Sequence, residues 1–593
     1  MASNLHGDDL HKAYNKVLAD LMALRQPGGW WEGELSTSAL STAVACSALR
    51  LCGRTALVDR GIVWLAGNQN PDGGWGDTVA SKSNLSTTLL AVAAFHITER
   101  AGGFAETLLR ARDWIVAHAG QTPAQWAEAV RASYGKDRTF SVPILTTCAL
   151  ARLVPWSEVP PLPFELACLP QSWYRLASLP VVSYALPALI AIGQCIHAHR
   201  PTWFLPWRWL RNACRGPSLK VLAAIQPSNG GFLEATPLTA FVAMALASSG
   251  NAGHPVAAKG CDFLEASVRP DGSWPIDTNL ATWVTTLAVN ALAAGKDLPS
   301  LGDAGPLRDW LLAQQYRVRH PFTGADPGGW AWTPLPGGVP DADDTPGALI
   351  ALANLGTPNG DWLRAGVGWL GGLQNRDGGM PTFCRGWGKL PFDRSGTDLT
   401  AHALRAIAPL REQAETDPEL KPIATEVRVL FEGGLEYLAR QQNSDGSWNP
   451  LWFGHEDAPE MGNPVFGTAR VLMAYRDLGL GELNEARRGV AYLAKAQNSD
   501  GSWSGSAGLT GQVEETALVL DVLVGLGVEP KRVRSGTEWL VRAVLEGRHR
   551  VPSPIGFYFA RLWYSERLYP IIFCVAALGR VRSAGGHVSL SGT

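Results

Sequence analysis

The sequence predicts an all-α protein, organised as an α/α toroid in which outer helices surround a ring of inner helices. The first observation behind this prediction is a recurring segment. Its four clearest copies are RGIVWLAGNQNPDGGW (60–75), KGCDFLEASVRPDGSW (259–274), GGLEYLARQQNSDGSW (433–448) and RGVAYLAKAQNSDGSW (488–503). The second observation is that a segment rich in small and apolar residues follows each copy. Paired helices that recur along a chain in this way are typical of helical repeat proteins.

The recurring segment predicts an outer helix that ends in a tight turn. Its apolar residues share one helical face, and a Gly-containing turn followed by a large side chain closes it. Weaker copies are ALRQPGGWW (23–31), LAAIQPSNGGF (222–232), GADPGGW (324–330) and WLGGLQNRDGGM (369–380). Trp448 and Trp503 lie 55 residues apart, which leaves room for two helices and a loop. For most copies we expect a structural role, with Gln satisfying helix ends and stacking on the indole.

The segments between these copies predict the inner helices. They are apolar nearly all round, as a helix buried between other helices must be. Examples are LSTTLLAVAAF (85–95), TWVTTLAVNALA (282–293) and FGTARVLMAY (466–475).

Composition and charge exclude several classes of function. Hydrophobic residues make up 46% and charged residues 18% of the 593 residues, which indicates a globular chain. The net charge of −2 gives no electrostatic reason to expect a nucleic-acid partner. Trp is unusually frequent, with 24 residues against 17 Phe and 11 Tyr.

The expected location is the cytoplasm. Nine cysteines without a Cys-x-x-Cys pair read as small buried side chains in a reducing compartment. The first residues carry acids and histidines and do not resemble a signal peptide. The longest apolar run, 178–196, contains Pro180 and Pro187, so a buried helix is expected there and no transmembrane helix is predicted.

The strongest indication of chemistry is a cluster of acids in PDADDTPGAL (340–349). When Thr345 is aligned with Thr400 of the following repeat, Asp343 falls opposite Asp398. His402 lies one helical turn after Asp398. We therefore expect carboxylates and an imidazole to meet at one end of the central cavity.

Three interpretations of this cluster are open. A metal site is one, although DADDT lacks the spacing of the diphosphate-magnesium and calcium motifs. General acid chemistry is the second, because buried like charges cannot all ionise and one carboxyl keeps its proton. The third is structural, with Asp341 or Asp343 capping the helix that begins near Thr345. Abundant indoles favour the second: protonating an alkene makes a carbocation, and an aromatic face stabilises a cation without trapping it.

The sequence resembles the squalene-hopene cyclase family, the class II terpene cyclases. DADDT (341–345) is similar to the family's Asp-x-Asp-Asp-Thr protonation motif, and DLTAH (398–402) to its Asp-x-Thr-Ala-His. The Gln-x-x-x-Gly-x-Trp copies are similar to its QW repeats. The resemblance runs from about residue 13 to Arg580.

The resemblance implies a fold of two α/α barrels that form a dumbbell, with one barrel inserted into the other. The inserted barrel is expected at 28–275. Residues 1–27 and 276–593 then form the barrel that carries the acids. The resemblance also implies an isoprenoid substrate and neither a metal nor an organic cofactor.

The resemblance further implies roles for individual residues. Asp343 is the expected proton donor, supported by Asp341 and Asp344, while His402, oriented by Asp398, holds the reactive proton. The aromatic residues expected to bind the substrate are Trp283, Trp330, Trp332, Trp452, Phe466 and Phe557.

Three departures from the family pattern bear on the substrate. Phe466 stands where the family usually has a Tyr that helps to return a proton to the acid. Trp332 replaces a smaller Phe. The segment FCRGWGKLPFDRSG (383–396) is basic, so it is either a solvated loop or a binding site for a diphosphate.

RPTWFLPWRWLR (200–211) combines indoles with arginines, the composition of a membrane-interface anchor that does not span the bilayer. Monotopic membrane contact is expected there, and a packing loop between domains is the alternative. A homodimer is left open.

The main functional hypothesis is therefore the proton-initiated cyclisation of squalene, or a close relative, to a hopene-like polycyclic triterpene. A second hypothesis is a class II cyclase that acts on a prenyl diphosphate such as geranylgeranyl diphosphate. A third is a non-catalytic α/α toroid that binds an apolar ligand.

Overall fold

The computed structural model of the protein describes residues 7–135, 137–177, 181–390, 392–557 and 561–584. The α-helices are α1 (Gly7–Ala23), α2 (Ala39–Leu51), α3 (Val58–Gly67), α4 (Leu85–Ile97), α5 (Ala105–Ala119), α6 (Pro123–Tyr134), α7 (Arg138–Leu150), α8 (Gln171–Leu176), α9 (Val181–His199), α10 (Leu205–Ile225), α11 (Thr236–Leu246), α12 (Pro255–Ala266), α13 (Ala281–Ala294), α14 (Gly305–Ala313), α15 (Asp344–Asn354), α16 (Asp361–Leu373), α17 (Thr397–Ile407), α18 (Gln413–Thr416), α19 (Ala424–Gln441), α20 (Pro464–Asp477), α21 (Asn484–Ala496), α22 (Val513–Leu526), α23 (Pro530–Leu545) and α24 (Tyr569–Ala584). The short strands are β1 (Thr37–Ser38), β2 (Trp274–Pro275), β3 (Phe453–His455), β4 (Ile555–Phe557) and β5 (Leu562–Tyr564).

Within the described residues, six inner helices form one closed ring. In order around the ring they are α13, α15, α17, α20, α22 and α24, and α24 packs back against α13. The outer helices α14, α16, α19, α21, α23 and α1 pack around them. The first and last helices of the chain therefore join the same barrel, and α1 packs on both α23 and α24.

A second ring is built from the segment between α1 and α13. Among the described residues, its inner helices are α2, α4, α7, α9 and α11, and α11 packs against α2 to close the ring. Buried apolar side chains accordingly form two clusters, one drawn mainly from 39–274 and the other from 10–35 together with 276–578. Trp31 and Leu35 belong to the second of these clusters, and the predicted division at residues 28 and 275 stays a proposal.

One hydrogen bond recurs in every repeat and fixes the inner helix against the turn. The backbone N–H of the residue that closes the turn donates to the hydroxyl of a threonine in an inner helix. The pairs are Trp31–Thr285, Trp75–Thr88, Phe232–Thr239, Trp274–Thr42, Trp330–Thr345, Met380–Thr400, Trp448–Thr468 and Trp503–Thr516, all at 2.9–3.0 Å. Because the bond is the same each time, these threonines mark equivalent heights on the inner helices.

The tryptophans of the turns are structural, as the repeat pattern predicts. The indole of Trp448 is fully buried and donates its Nε1–H to the carbonyl of Leu438 at 2.7 Å, within the preceding outer helix. Trp503 makes the same bond to Leu493. The Gln of the repeat differs from the expectation: the amide of Gln442 donates to the carbonyls of Gly446 and Glu485, and so links its own turn to the next outer helix.

The glycine of the turn is required by two constraints. Gly446 has φ +93°, a left-handed conformation that a side chain disfavours. A Cβ at this position would also lie 2.5 Å from the carbonyl oxygen of Arg488, in α21. The turn therefore lies directly against the next outer helix.

The strands were not expected from the sequence. β3, β4 and β5 form a small antiparallel sheet in which Phe453 pairs with Phe557 and Phe557 with Leu562. Strands this short carry no readable alternation of apolar residues, so periodicity does not reveal them. They lie beside the cavity described below and hold several of its aromatic side chains.

Replacing Trp448 with Phe should lower the free energy of unfolding by about 2 kcal/mol, because the buried carbonyl of Leu438 loses its donor and the smaller ring leaves a void. Urea unfolding followed by circular dichroism measures the difference. The matched control is Trp209→Phe, since the Trp209 side chain is 68% exposed and its replacement should change stability by less than about 0.5 kcal/mol. Equal unfolding midpoints for the two variants would contradict the structural role.

Candidate active site

The three aspartates lie in the short connection between the turn of Trp330 and the first residues of α15. Oδ1 of Asp341 accepts the backbone N–H groups of Asp343 and Asp344, each at 2.8 Å. Asp341 therefore caps this helix start, and the structural interpretation of the acids holds for that residue. The same bonds fix the backbone that carries the other two carboxyls.

Asp343 and His402 are in direct contact, as expected. The neutral imidazole donates its Nδ1–H to Oδ1 of Asp343 at 2.5 Å. Thr345 and Thr400 are pinned at the same height on adjacent helices α15 and α17, and this register brings the two side chains together. His402 is 2% exposed, whereas the Asp343 side chain is 19% exposed and reaches the cavity.

Arg470 is a third member of this cluster, and the sequence analysis missed it. Its Nη2 lies 3.4 Å from Oδ1 of Asp343 and 3.3 Å from Nδ1 of His402. A signal for it was present. His402 follows the pinned threonine Thr400 by two residues, and Arg470 follows Thr468 by two residues in the next inner helix.

Burial and charge separate the acids electrostatically. Burial raises the pKa of Asp341 to about 6. Burial, with the neighbouring charge of Asp341, raises the pKa of Asp344 well above its ordinary value. Burial acts in the same direction on Asp343, but His402 and Arg470 outweigh it and hold the pKa of Asp343 below its usual range. Burial also lowers the pKa of His402 to about 4, so its ring is neutral at neutral pH.

This arrangement separates storage of a proton from its delivery. Asp341 and Asp344 retain a proton near neutral pH, because three buried carboxylates cannot all be charged. Asp343 is the carboxyl whose ionised form is best stabilised, so it is the strongest acid of the three when it carries the proton. With Oδ1 bound to His402, its Oδ2 remains to hold a proton that faces the cavity.

The acids open onto an apolar cavity of about 480 Å³. Its walls come from both rings, from Trp283 at the acid end to Phe140 and Ile144 of α7. Aromatic rings line much of it. Their faces supply negative electrostatic potential without a lone pair, which is what a carbocation needs.

Two models of one protein family match most of the chain. The family model of the squalene-hopene cyclase C-terminal domain matches residues 280–583, and that of the N-terminal domain matches residues 15–206. The chain belongs to the squalene-hopene cyclase family. The predicted recognition and the predicted all-α double-barrel fold are both confirmed.

Two characteristic relatives share about a quarter of their aligned residues with this chain. The enfumafungin synthase of Hormonema carpetanum is 25% identical over 95% of this chain and 46% of its own length. The drimenyl diphosphate synthase of Streptantibioticus cattleyicolor is 27% identical over 48% of this chain and 49% of its own. The chain spans about half the length of the curated relatives it matches. Among solved structures, ent-copalyl diphosphate synthase from Streptomyces platensis has a similar fold, with a TM-score of 0.54 at 19% identity over 98% of this chain and all of that one.

Four of the aromatic residues expected from the family resemblance line the cavity. The Trp283 indole donates to the hydroxyl of Tyr569 at 2.8 Å, and the Trp452 indole to the hydroxyl of Thr382 at 2.8 Å. Phe557 packs edge-on against Trp452, with ring centroids 4.7 Å apart, and Trp332 completes the set. Anchored N–H groups fix the indole planes, so the faces are held towards the cavity.

Two of the expected aromatic residues lie elsewhere. Trp330 is the fully buried tryptophan of its repeat and donates Nε1–H to the carbonyl of Leu311 at 2.9 Å. Phe466 packs behind Phe453, with ring centroids 4.5 Å apart. Neither is among the described residues that line the cavity. The expectation failed for Trp330 because a turn tryptophan and a wall tryptophan stand two positions apart in GGWAW.

Asp398 differs from its expected role as the residue that orients His402. Its carboxylate accepts the backbone N–H groups of Leu451 and Trp452, at 3.0 and 3.3 Å. It therefore holds the loop that carries Trp452, and His402 is instead bound by Asp343. Helical spacing placed Asp398 on the correct helix but did not show the backbone donors that face it.

Tyr564 and Tyr569 also line the acid end of the cavity, a placement that the sequence did not resolve. The basic segment gives a different result. Phe383 and Phe392 face the cavity, whereas Arg385 and Lys389 are exposed at the surface. The described part of the chain contains no group of three or more His, Cys, Asp or Glu side chains arranged for a metal ion.

Proposed function

We propose that this protein catalyses the proton-initiated cyclisation of a linear polyprene, with squalene or a close relative as the substrate. Asp343 donates the proton to a terminal double bond, Asp341 and Asp344 supply it, and His402 and Arg470 stabilise the carboxylate that remains. The observation that carries this proposal is the 2.5 Å contact between Asp343 and a buried neutral imidazole, on the wall of an aromatic cavity. A toroid that only binds an apolar ligand has no use for such an acid.

The polarity of the cavity supports a hydrocarbon substrate. Arg138 is the one basic side chain among the described residues that line it, and no lysine does so there. The basic segment 383–396 presents its Arg385 and Lys389 outside the cavity. A diphosphate would need charged donors around its oxygens, and a hydrocarbon needs none.

A prenyl diphosphate such as geranylgeranyl diphosphate is the second candidate. Arg138 favours it, since this exposed side chain of α7 could supply a positive charge to a diphosphate at the cavity wall. The drimenyl diphosphate synthase among the relatives favours it as well.

The test is to incubate purified protein separately with squalene in detergent micelles and with geranylgeranyl diphosphate, and to analyse the products by mass spectrometry. We expect a cyclic isomer, or its hydrate, from squalene. Cyclised diphosphate alone would select the second candidate, and Arg138→Gln should then raise KM. No cyclised product from either substrate, with folded protein, would overturn the proposal.

We also propose that the protein contacts a membrane through an exposed apolar patch without spanning it. The patch consists of Leu166, Leu169, Trp173, Leu176, Trp203, Phe204, Leu205, Trp207, Trp209 and Leu210. Trp203 and Leu176 are each 89% exposed, a degree that a packing loop would not leave. Arg211 of this segment is buried against Glu165, whereas Arg208 is exposed and lies between Trp207 and Trp209 on α10. Within the described residues, no helix has the length and hydropathy to cross a bilayer.

Replacing Trp203, Phe204, Trp207 and Trp209 together by Ser should reduce flotation with phosphatidylcholine vesicles by at least about tenfold, because the indoles that enter the interface are lost. Trp387→Ser is the matched control, since Trp387 is 60% exposed but lies on the 383–396 segment. Undiminished vesicle binding by the folded quadruple variant would rule out this surface as the contact.

A further inference from the structure

One carboxyl faces the cavity apart from the three at the start of α15. Asp277 follows β2, at the point where the chain passes from the second ring into α13, and its backbone forms a bridge with Ala235. It is the one acidic side chain, besides Asp341, Asp343 and Asp344, among the described residues that line the cavity.

Asp277 is held in place by two donors. Its Oδ2 accepts the indole N–H of Trp332 at 3.1 Å, and its Oδ1 accepts the backbone N–H of Asn279 at 3.2 Å. The backbone of Trp332 is itself fixed, because its carbonyl accepts the N–H of Trp283 at 3.1 Å. The carboxyl and the cavity-facing indole therefore form one rigid unit.

The buried side chain of Glu234 lies near Asp277 and affects the pKa of Asp277. Glu234 is fully buried, and Asn229, Gly337 and Thr278 donate to its oxygens. Burial, assisted by the charge of Glu234, raises the pKa of Asp277 well above its ordinary value. The two N–H donors favour the ionised form of Asp277, and once ionised it is a stronger base than a carboxylate in water.

A cyclisation that starts when the substrate gains a proton must end with neutralisation of the positive charge. The last carbocation becomes neutral when it loses a C–H proton or gains water. Aromatic faces stabilise the cation but take no proton from it. In the described lining, Asp277 is the one carboxyl outside the acid cluster of α15, so it can take a proton at a place other than the one where the first proton was delivered.

We propose that Asp277 is the base that ends the reaction, and that the Trp332 indole orients it. This inference rests on the proposed cyclisation. The C–H electron pair of the final cation becomes the new double bond, and the proton moves to a carboxylate oxygen of Asp277. Asp343 has by then become a carboxylate, so one proton has entered the substrate and one has left. Exchange with solvent returns both carboxyls to their starting states.

The pair also bears on where cyclisation stops. The charge on Asp277 polarises the indole N–H and makes the Trp332 face more negative, so cationic character is favoured next to the base that removes the proton. Product identity therefore depends on residues 277 and 332 together.

The experiment compares Asp277→Asn with the wild type, using squalene in water enriched in oxygen-18. Asn still accepts the Trp332 N–H but cannot take a proton. Substrate consumption should fall far less than it does on loss of Asp343. The ratio of labelled alcohols and displaced alkenes to the main alkene should rise about 100-fold, the lower end of what a positioned base contributes. Asp277→Glu should restore part of the original ratio.

Two further variants separate catalysis from packing. Trp332→Phe keeps the carboxylate but removes its indole donor, and it should shift the product ratio in the same direction. Glu32→Gln is the matched control, because Glu32 is an exposed acid that accepts a side-chain N–H of Asn279 near Asp277 and does not line the cavity, and it should leave the ratio unchanged. Should Asp277→Asn fail to fold, the Trp332→Phe ratio decides.

An unchanged product ratio in Asp277→Asn overturns the proposal, as does an unchanged ratio in Trp332→Phe if Asp277→Asn does not fold. An alcohol as the sole wild-type product also overturns it. In each case the cyclase function stands. A folded wild-type protein that cyclises neither squalene nor geranylgeranyl diphosphate rejects the proposed function, and this inference with it.

Discussion

Asp343→Asn is expected to lower kcat for cyclisation by about 10³-fold or more, while the protein stays folded. An amide has nearly the shape of the carboxyl but cannot give a proton to an alkene. His402 and Arg470 keep a hydrogen-bond acceptor in Asn, so the local packing is preserved. Product formation from squalene, followed by mass spectrometry over several hours, measures the effect.

A control for this variant is Asp361→Asn, which changes an aspartate at the start of α16 whose side chain is 90% exposed. It should retain full activity. Cyclisation by Asp343→Asn at a rate near that of the control would show that the proton comes from another group.

Arg470→Gln is expected to give the second largest effect, a fall in kcat of about 100-fold, at the lower end of what a positioned acid contributes. The guanidinium stabilises the carboxylate form of Asp343. Without it the pKa of Asp343 rises, so the carboxyl is a weaker acid. It also keeps its proton to higher pH, and the pH at which activity declines on the alkaline side should therefore move upward. Rates measured from pH 5 to 9 test both effects.

Arg476→Gln is the matched control, because Arg476 is a largely buried arginine on the same helix, paired with Asp477 and Asp521. Its loss should reduce stability and leave the pH profile in place. An Arg470→Gln profile that is merely scaled down, with the alkaline limb unmoved, would indicate that Arg470 serves packing rather than acid strength.

The repeat architecture was predictable from sequence because the turn carries its own markers. A Gly with positive φ, a buried indole and a following apolar helix all leave a visible pattern. The contact between Asp343 and His402 followed from aligning two threonines, and those threonines make the bond that sets the register. Extending the same alignment by one repeat would have found Arg470.

The features that the sequence did not reveal depend on contacts with groups that leave no pattern in the order of the residues. Asp398 meets backbone N–H groups of a loop, and these are invisible in a list of side chains. Trp330 and Trp332 stand two positions apart, and the sequence does not show which of them closes the turn and which lines the cavity. Asp277 stands alone in a connecting segment, and only its bond to Trp332 and the shape of the cavity make it notable.

The threonine bond in each repeat fixes an equivalent level on each inner helix, so positions can be compared from one repeat to the next. Two positions after the pinned threonine, the chain carries Gly347, His402 and Arg470 on three successive inner helices. Two positions before it stand Asp343, Asp398 and Phe466. The side chains that meet at the acid site, Asp343, His402 and Arg470, therefore occupy levels that the scaffold sets in every repeat. Asp398, at the same level as Asp343, instead anchors a backbone loop, so one ring of positions serves both chemistry and support.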